Sequence, residues 1–387
     1  MFRYTCLNSI SEMGLKMFSE DYRKTDTIEE SEAILVRSED MKNFQFHDSL
    51  HVIARAGAGV NNIPLERCSK AGIVVFNTPG ANANGVKELV LTGLLLSSRD
   101  IVGGINWLAE EKDNPVIAEL TEKKKKQFAG SEIKDKKLGV IGLGAVGVLT
   151  ANAAIHLGMK VYGYDPFISV DAAWNLDKEI TRITDVNHIY KNCDYITLHV
   201  PLLADTKYMI NRDTMALMKN GVVVLNYARD MLVNDEDMIE ALKSGKVKRY
   251  LSDFPDNIVL NAHNAIVTPH LGASTGESED NCAIMAVEEI RNFLENGNIK
   301  NSVNYPNCDM GKCITAGRIL ILHKNIKNMI SQLSRMLGDS DINIGNMLNK
   351  SRGEYACSLF DLDTPISDEA VKKIKEIEGV LKVRVVK

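Results

Sequence analysis

The sequence predicts an α/β protein made of two doubly wound parallel-sheet domains and a small C-terminal βαββαβ domain. Three observations carry that expectation. Short apolar runs alternate with helical patterns on both sides of residue 100. The alternation changes character after Tyr305-Pro306-Asn307. The chain has 387 residues, more than the roughly 250–300 at which a single core divides.

In chain order, Ala33–Val36, Val52–Ala54 and Ile73–Phe76 read as three buried strands, each followed by turn residues and a helical pattern. Lys112–Lys137 is charged, weakly periodic and interrupted by Pro115, and reads as a surface excursion. Leu138–Ile141, Lys160–Tyr164, Tyr195–Leu198, Val222–Leu225, Tyr250–Leu251 and Ile266–Val267 continue the strand series. Strands that alternate with helices imply parallel sheets covered on both faces. Glu277–Asn296 reads as one long helix with Ile284, Val287, Ile290, Phe293 and Leu294 on one side and Gly297 as its C-cap. Beyond a turn-rich linker follow the strand Arg318–Leu322, the helix Ile326–Leu337, strands Ile342–Leu348 and Ala356–Leu362, the helix Asp368–Ile377 and the strand Val380–Val386. That order is ferredoxin-like.

Composition narrows the class. Hydrophobic residues at 45% and charged residues at 25% match an ordinary globular chain and rule out global disorder. The 46 Lys and Arg against 51 Asp and Glu leave a net charge of −5, which gives no electrostatic case for a nucleic-acid partner. The one basic run, Lys123–Lys126, reads as a solvated face. No segment approaches the roughly 20 apolar residues of a membrane span. Met1–Cys6 lacks the apolar core of a signal peptide, so a cytoplasmic protein with no membrane partner is expected. The seven cysteines are scattered, without paired doublets, which predicts free thiols and no metal site.

Gly142-Leu143-Gly144-Ala145-Val146-Gly147 leaves one strand and enters the helical pattern Val148–Leu157. In that context the G-x-G-x-x-G predicts a Rossmann-like dinucleotide site. Gly142 permits the turn, Gly144 admits a pyrophosphate, and Gly147 brings helix against strand, with the amides of Ala145 and Val146 aimed at phosphate. Asp165 closes the next strand, 18 residues past Gly147, where an acid accepts ribose hydroxyls and repels a 2′-phosphate. Neither Tyr164 nor Pro166 offers a cation, so NAD is the expected cofactor.

Three further segments follow strands of the same sheet: Asn226-Tyr227-Ala228-Arg229, Ser252-Asp253-Phe254-Pro255-Asp256 and Thr268-Pro269-His270. Ligands bind at strand C-termini of open α/β sheets. Hydride transfer from a hydroxy acid needs a cation for its carboxylate, a His for the hydroxyl proton and an acid to support that His. Arg229, His270 and one of the two aspartates supply these types. His199, before Pro201, reads as structural. The loop Arg55-Ala56-Gly57-Ala58-Gly59 presents amides beside a cation, an anion nest that Arg37 is placed to join.

With Arg55–Asn62, the glycine loop, Asp165, Asn226–Arg229 and Thr268–Thr275 in view, essentially the whole chain resembles the D-2-hydroxyacid dehydrogenase family. It is most similar to members that oxidise 3-phospho-D-glycerate and carry an ACT-type C-terminal domain. The resemblance implies Arg229 as the substrate-binding catalytic residue and His270 as the acid/base. It also implies that Tyr227, Ala228, Arg229, Asp253, His270, Gly272 and Ala273 line the nicotinamide, and that Arg55, Gly57, Ala58, Gly59 and Arg37 bind substrate. The implied domains are 1–92 and 276–307 for substrate, with the NAD-binding Rossmann domain 93–275 inserted between them. A linker at 308–315 would lead to an ACT-type domain at 316–387. The resemblance further implies L-serine feedback through His323, Asn325 and Asn343 in a homo-oligomer.

Some positions depart from the family pattern. Asp230 stands where a Gly usually follows the Arg, and would be strained if φ were positive there. No Glu lies between Asp253 and His270, so Asp256 is the positional candidate to support His270, with Asp253 as the alternative. Lys327 and Asn328 replace the usual Pro and Gly before the first C-terminal helix. Two other functions share the pattern: a hydroxypyruvate or glyoxylate reductase, and a nucleotide-sensing protein similar to the C-terminal-binding corepressors.

Overall fold

The structure, a computed structural model, describes residues 1–387 as two compact units: Met1–Asn82 with Gly276–Lys387, and Ala83–Thr275. In the first unit, strands β1 (Phe2–Cys6), β2 (Tyr22–Lys24), β3 (Ala33–Val36), β4 (Val52–Arg55) and β5 (Val74–Asn77) form a parallel sheet ordered β2-β1-β3-β4-β5. The strands β1 and β2 are additions to the three read from sequence. Their residues alternate or are exposed at an edge and carry no apolar run. The helix Gly276–Asn296, here the return helix, buries Cys282, Ala286, Val287, Ile290, Phe293 and Leu294 in the same core as Val52, Val74 and Phe76.

The second unit holds β6 (Lys137–Ile141), β7 (Lys160–Tyr164), β8 (Thr181–Ile183), β9 (Tyr195–Leu198), β10 (Val222–Asn226), β11 (Val247–Ser252) and β12 (Ala265–Val267). Their order, β12-β11-β10-β9-β6-β7-β8, is that of a doubly wound sheet with its reversal between β6 and β9. The helix Ala83–Ser98 belongs to this unit, because Val90 and Leu94 are fully buried with Leu138, Val140 and Leu225. The first divide therefore falls after Asn82, earlier than the expected residue 92. The expected surface excursion follows a helix at Ile101–Glu110, itself contains the helix Ile117–Lys124 and the 3-10 turn Lys125–Phe128, and keeps Lys123–Lys126 exposed.

The C-terminal segment forms β13 (Gly317–Lys324), β14 (Ile344–Arg352), β15 (Tyr355–Leu362) and β16 (Val380–Val385), an antiparallel sheet ordered β14-β15-β13-β16 with helices Met329–Asp339 and Asp368–Lys375. Its two faces are both buried. Ile319, Ile321, Phe360 and Leu362 meet its own helices, whereas Leu320, Leu322, Cys357 and Leu359 join Phe76, Phe293 and Tyr305 in the first unit's core. Cys308, expected in a linker, is fully buried and bridges Ile299. No helix is long and apolar enough to cross a membrane.

Candidate active site

In the second unit the glycine loop turns at Gly142, with φ +93. A side chain at Gly147 would put its first carbon 1.9 Å from the Gly142 carbonyl oxygen, so helix and strand touch there through backbone alone. The helix Ala145–His156 starts at this point with Gly144 as its N-cap, leaving the first N–H groups of its amino end free for an anion. Asp165 lies alongside. Its Oδ2 accepts the Leu143 amide at 2.8 Å and its Oδ1 the Phe167 amide at 2.8 Å, which fixes the carboxylate and leaves lone pairs for hydroxyl donors. His199 bonds Thr197 Oγ1 at 3.0 Å through Nε2, and burial pushes its imidazole down to about 3.

Three adjacent strands carry the chemistry. Asn226 pairs with Ser252, and Ser252 with Val267, so the segments after β10, β11 and β12 leave the sheet at one level. Fully buried Asn226 holds the first turn: its Nδ2 donates to the Arg229 carbonyl at 2.9 Å and its Oδ1 accepts from Ala228. Arg229 and His270 are exposed, and Tyr227 is buried behind them. Asp230 opens a 3-10 turn, Asp230–Leu232, and has no positive φ, so the strain expected for a replaced glycine does not arise.

The structure separates the two candidate carboxylates. Asp253 is 1% exposed, and its Oδ2 accepts the Gly272 amide at 3.1 Å. Burial raises its pKa, opposed by the Gly272 hydrogen bond and by the charge of His270. Phe254 stands edge-on to the His270 ring at 5.0 Å. Asp256 points elsewhere, a correction to the positional assignment. Its Oδ1 accepts the Ile258 and Val259 amides at 2.9 and 2.6 Å, and it hydrogen-bonds Asp235. The shortened loop uses Asp256 to start the 3-10 turn Val259–Asn261. Burial and the Asp256 carboxylate push Asp235 up to about 7.

The loop after β4 lies in the first unit. Arg55 ends β4, and its Nε donates to the Arg37 carbonyl at 3.0 Å, so the two arginines are neighbours. The Gly57 amide is taken by Thr78 Oγ1 at 2.8 Å, and Asn77 Nδ2 holds the Ala58 carbonyl at 2.6 Å. The amides of Ala58, Gly59 and Val60 donate to no protein atom. The amides open to a ligand are therefore those of Ala58–Val60, one residue further along than the glycines alone suggest. Thr78 and Asn77, which shape the loop, carry no signal in the sequence beyond following a strand.

In the C-terminal sheet, Asn325 and Asn343 are exposed. His323 differs from its expected role. It is 2% exposed, with Nδ1 on the Lys324 carbonyl at 2.9 Å and Nε2 on Ser358 Oγ at 2.9 Å, so both nitrogens are used inside the sheet. No group of three or more potential ligand side chains is arranged to hold a metal ion.

Residues 92–272 match the family described as D-isomer specific 2-hydroxyacid dehydrogenase, NAD binding domain. The chain is similar to the D-3-phosphoglycerate dehydrogenase of Methanocaldococcus jannaschii, 35% identical over 292 residues that cover 74% of this chain and 53% of that protein. It is also similar to the hydroxypyruvate reductase of Thermotoga maritima, 37% identical over 251 residues, covering 62% of this chain and 77% of the relative. Among solved structures it is similar to NAD+-bound 3-phosphoglycerate dehydrogenase of Entamoeba histolytica, with 26% sequence identity and a TM-score of 0.60, covering 78% of this chain and 98% of that one. It spans about half the length of several curated 3-phosphoglycerate dehydrogenases that it matches. The glycine loop and Asp165 fall inside the matched NAD-binding segment.

Proposed function

The chain belongs to the D-isomer specific 2-hydroxyacid dehydrogenase family, and from that premise we propose that it oxidises 3-phospho-D-glycerate to 3-phosphohydroxypyruvate with NAD, the first step of L-serine synthesis. The observation that carries the reading is the buried Asp253 carboxylate beside exposed His270, at the level where β10 delivers Arg229. The named 3-phosphoglycerate dehydrogenase relatives support the choice of substrate.

The residues fit the cofactor. Nothing lies within 4 Å of the point where a side chain would start at Gly144, which leaves room for a pyrophosphate. Asp253 Oδ1 is buried without a partner, an acceptor suited to a carboxamide N–H. The loop Gly142–Gly147 and the amides of Ala145 and Val146 would hold the phosphates, Asp165 the ribose, and Tyr227, Ala228, Asp253, Gly272 and Ala273 the nicotinamide side. When bound, NAD supplies the hydride acceptor.

Arg229 holds the carboxylate of the acid, and His270 removes the proton of its hydroxyl. The Asp253 charge favours the imidazolium that results, a general-base role typically contributing about 10²–10⁴-fold. Arg55 with the Ala58–Val60 amides binds the anionic end of the substrate, joined by Arg37. Absorbance of NADH in a panel of 2-hydroxy acids tests the reading. Turnover of 3-phosphoglycerate is expected, and its absence from a panel in which other acids react would overturn it. The Thermotoga relative favours a second reading, hydroxypyruvate reduction. A higher kcat/KM for hydroxypyruvate than for 3-phosphohydroxypyruvate would select it.

The C-terminal sheet is proposed to act as an ACT-type regulatory domain that binds L-serine through Asn325 and Asn343 in paired copies of the chain. Serine inhibits only by favouring a less active state. Turnover against serine concentration for the full chain and for Asn325→Ala tests this; no serine effect on the parent would reject it.

A further inference from the structure

We propose that Glu279 is a specificity-determining residue: it occupies Arg37 in place of the substrate phosphate, which must displace it, and so it tempers the preference for a phosphorylated acid. The proposal rests on the reading of the Arg55 loop as the acid-binding site.

Arg37 Nη2 meets Glu279 Oε1 at 2.6 Å, with the two side chains 42% and 45% exposed. The backbone beneath Arg37 is fixed, because Asn8 Oδ1 accepts the amides of Arg37, Ser38 and Glu39 at 3.0, 2.9 and 3.0 Å. Glu279 lies in the first turn of the return helix, where the helix dipole favours a negative charge. One turn further on, the Cys282 thiol hydrogen-bonds Thr78 and lies in the fields of Arg55, Arg37 and Glu279 together. The two cations, the one anion and the loop that Thr78 shapes therefore share one neighbourhood.

An ion pair this exposed is weak and exchangeable. An acid with a single carboxylate commits it to Arg229, brings no second anion to the Arg55 loop, and leaves Glu279 on Arg37. A phosphate brings a charge of about −1.5 to −2 and three strong acceptor oxygens, and it displaces the carboxylate from Arg37. In this arrangement Glu279 opposes the phosphate by direct competition for Arg37.

The experiment compares reduction of 3-phosphohydroxypyruvate and hydroxypyruvate with NADH in the parent, Glu279→Gln and Glu279→Asp, with inorganic phosphate as a competitive inhibitor. In Glu279→Gln the KM for the phosphorylated keto acid is expected to fall about twofold to fivefold, the scale of an exposed ion pair. Inorganic phosphate should inhibit more strongly by the same factor, whereas the KM for hydroxypyruvate and the thermal midpoint stay put. Glu279→Asp should lie closer to the parent. Arg37→Gln should raise the phosphorylated KM. Equal movement of both keto-acid KM values, no movement of either, or a rise for the phosphorylated substrate in Glu279→Gln would overturn the proposal. Turnover of neither keto acid by the parent would overturn the underlying reading instead.

Discussion

At the scale of single residues, the site depends on which carboxylate reaches which cation. Asp253 and Asp256 are three positions apart, yet one is buried in the field of His270 and the other caps a turn. Removing a negative charge near an imidazole lowers the pKa at which it acts. Asp253→Asn is therefore expected to move the apparent pKa of the pH–rate profile downward and to cut turnover, with Asp256→Asn leaving that pKa in place. A shift in Asp256→Asn alone would reverse the assignment. Asp165 is held by two amides, and the proposed reading gives it the ribose. Asp165→Ala should weaken NAD binding and narrow the preference over NADP, measured as the ratio of the two Kd values. An unchanged ratio would remove its part in specificity.

At the scale of elements, helix ends show how the chain compensates for missing signals. The last carbonyls of the return helix, which have no partner within the helix, are met by arginines from the C-terminal sheet. Arg384 donates from Nη1 to Phe293 at 2.9 Å and from Nη2 to Leu294, and Arg318 Nη1 donates to Asn296 at 3.1 Å. Asp361 in turn takes Nε and Nη2 of Arg318 at 2.5 and 3.0 Å, so the buried cation is paired. Ahead of the helix Met329–Asp339, Asn328 takes the place of a glycine and sits at φ 66. Asn enters that region at less cost than other side chains. Asn328→Ala should lower stability by about 1 kcal/mol and Asn328→Gly should not, read as thermal midpoints. Equal midpoints for Ala and Gly would mean that the backbone relaxes at this position.

At the scale of the whole molecule, the C-terminal sheet is part of the first unit's core. Shortening the chain near Asn307 would strip Leu320, Leu322, Cys357 and Leu359 from Phe76, Phe293 and Tyr305, so serine regulation is tested on the full chain. The return helix also buries an acid. Glu289 is 8% exposed, with Oε1 on Asn301 Nδ2 at 2.9 Å and Oε2 without a partner. Burial pushes its pKa up to about 8 from the ordinary 4.5. The native chain thus keeps a proton that the unfolded chain releases between those values, and stability falls as pH rises through that window. Glu289→Gln is expected to raise the thermal midpoint by about 2–4 °C at pH 9, with little effect at pH 5. An equal change at both pH values would assign the effect to packing.

The sequence by itself determined the two parallel sheets, the βαββαβ tail, the NAD site and the segments bearing Arg229 and His270. All of these are written in local periodicity or in contiguous motifs, such as the run Val222–Leu225 and the loop Gly142–Gly147. Backbone geometry sets those periods at short range, so a few neighbouring residues suffice to reveal them. Only the tertiary structure decided that Asp253 is buried in the field of His270 while Asp256 caps a turn, that both nitrogens of His323 are used within the sheet, that Glu279 meets Arg37 across 242 positions, and that the tail's sheet is buried on both faces. These pairings depend on where distant segments close on one another, and side-chain type or spacing along the chain carries no record of that closure.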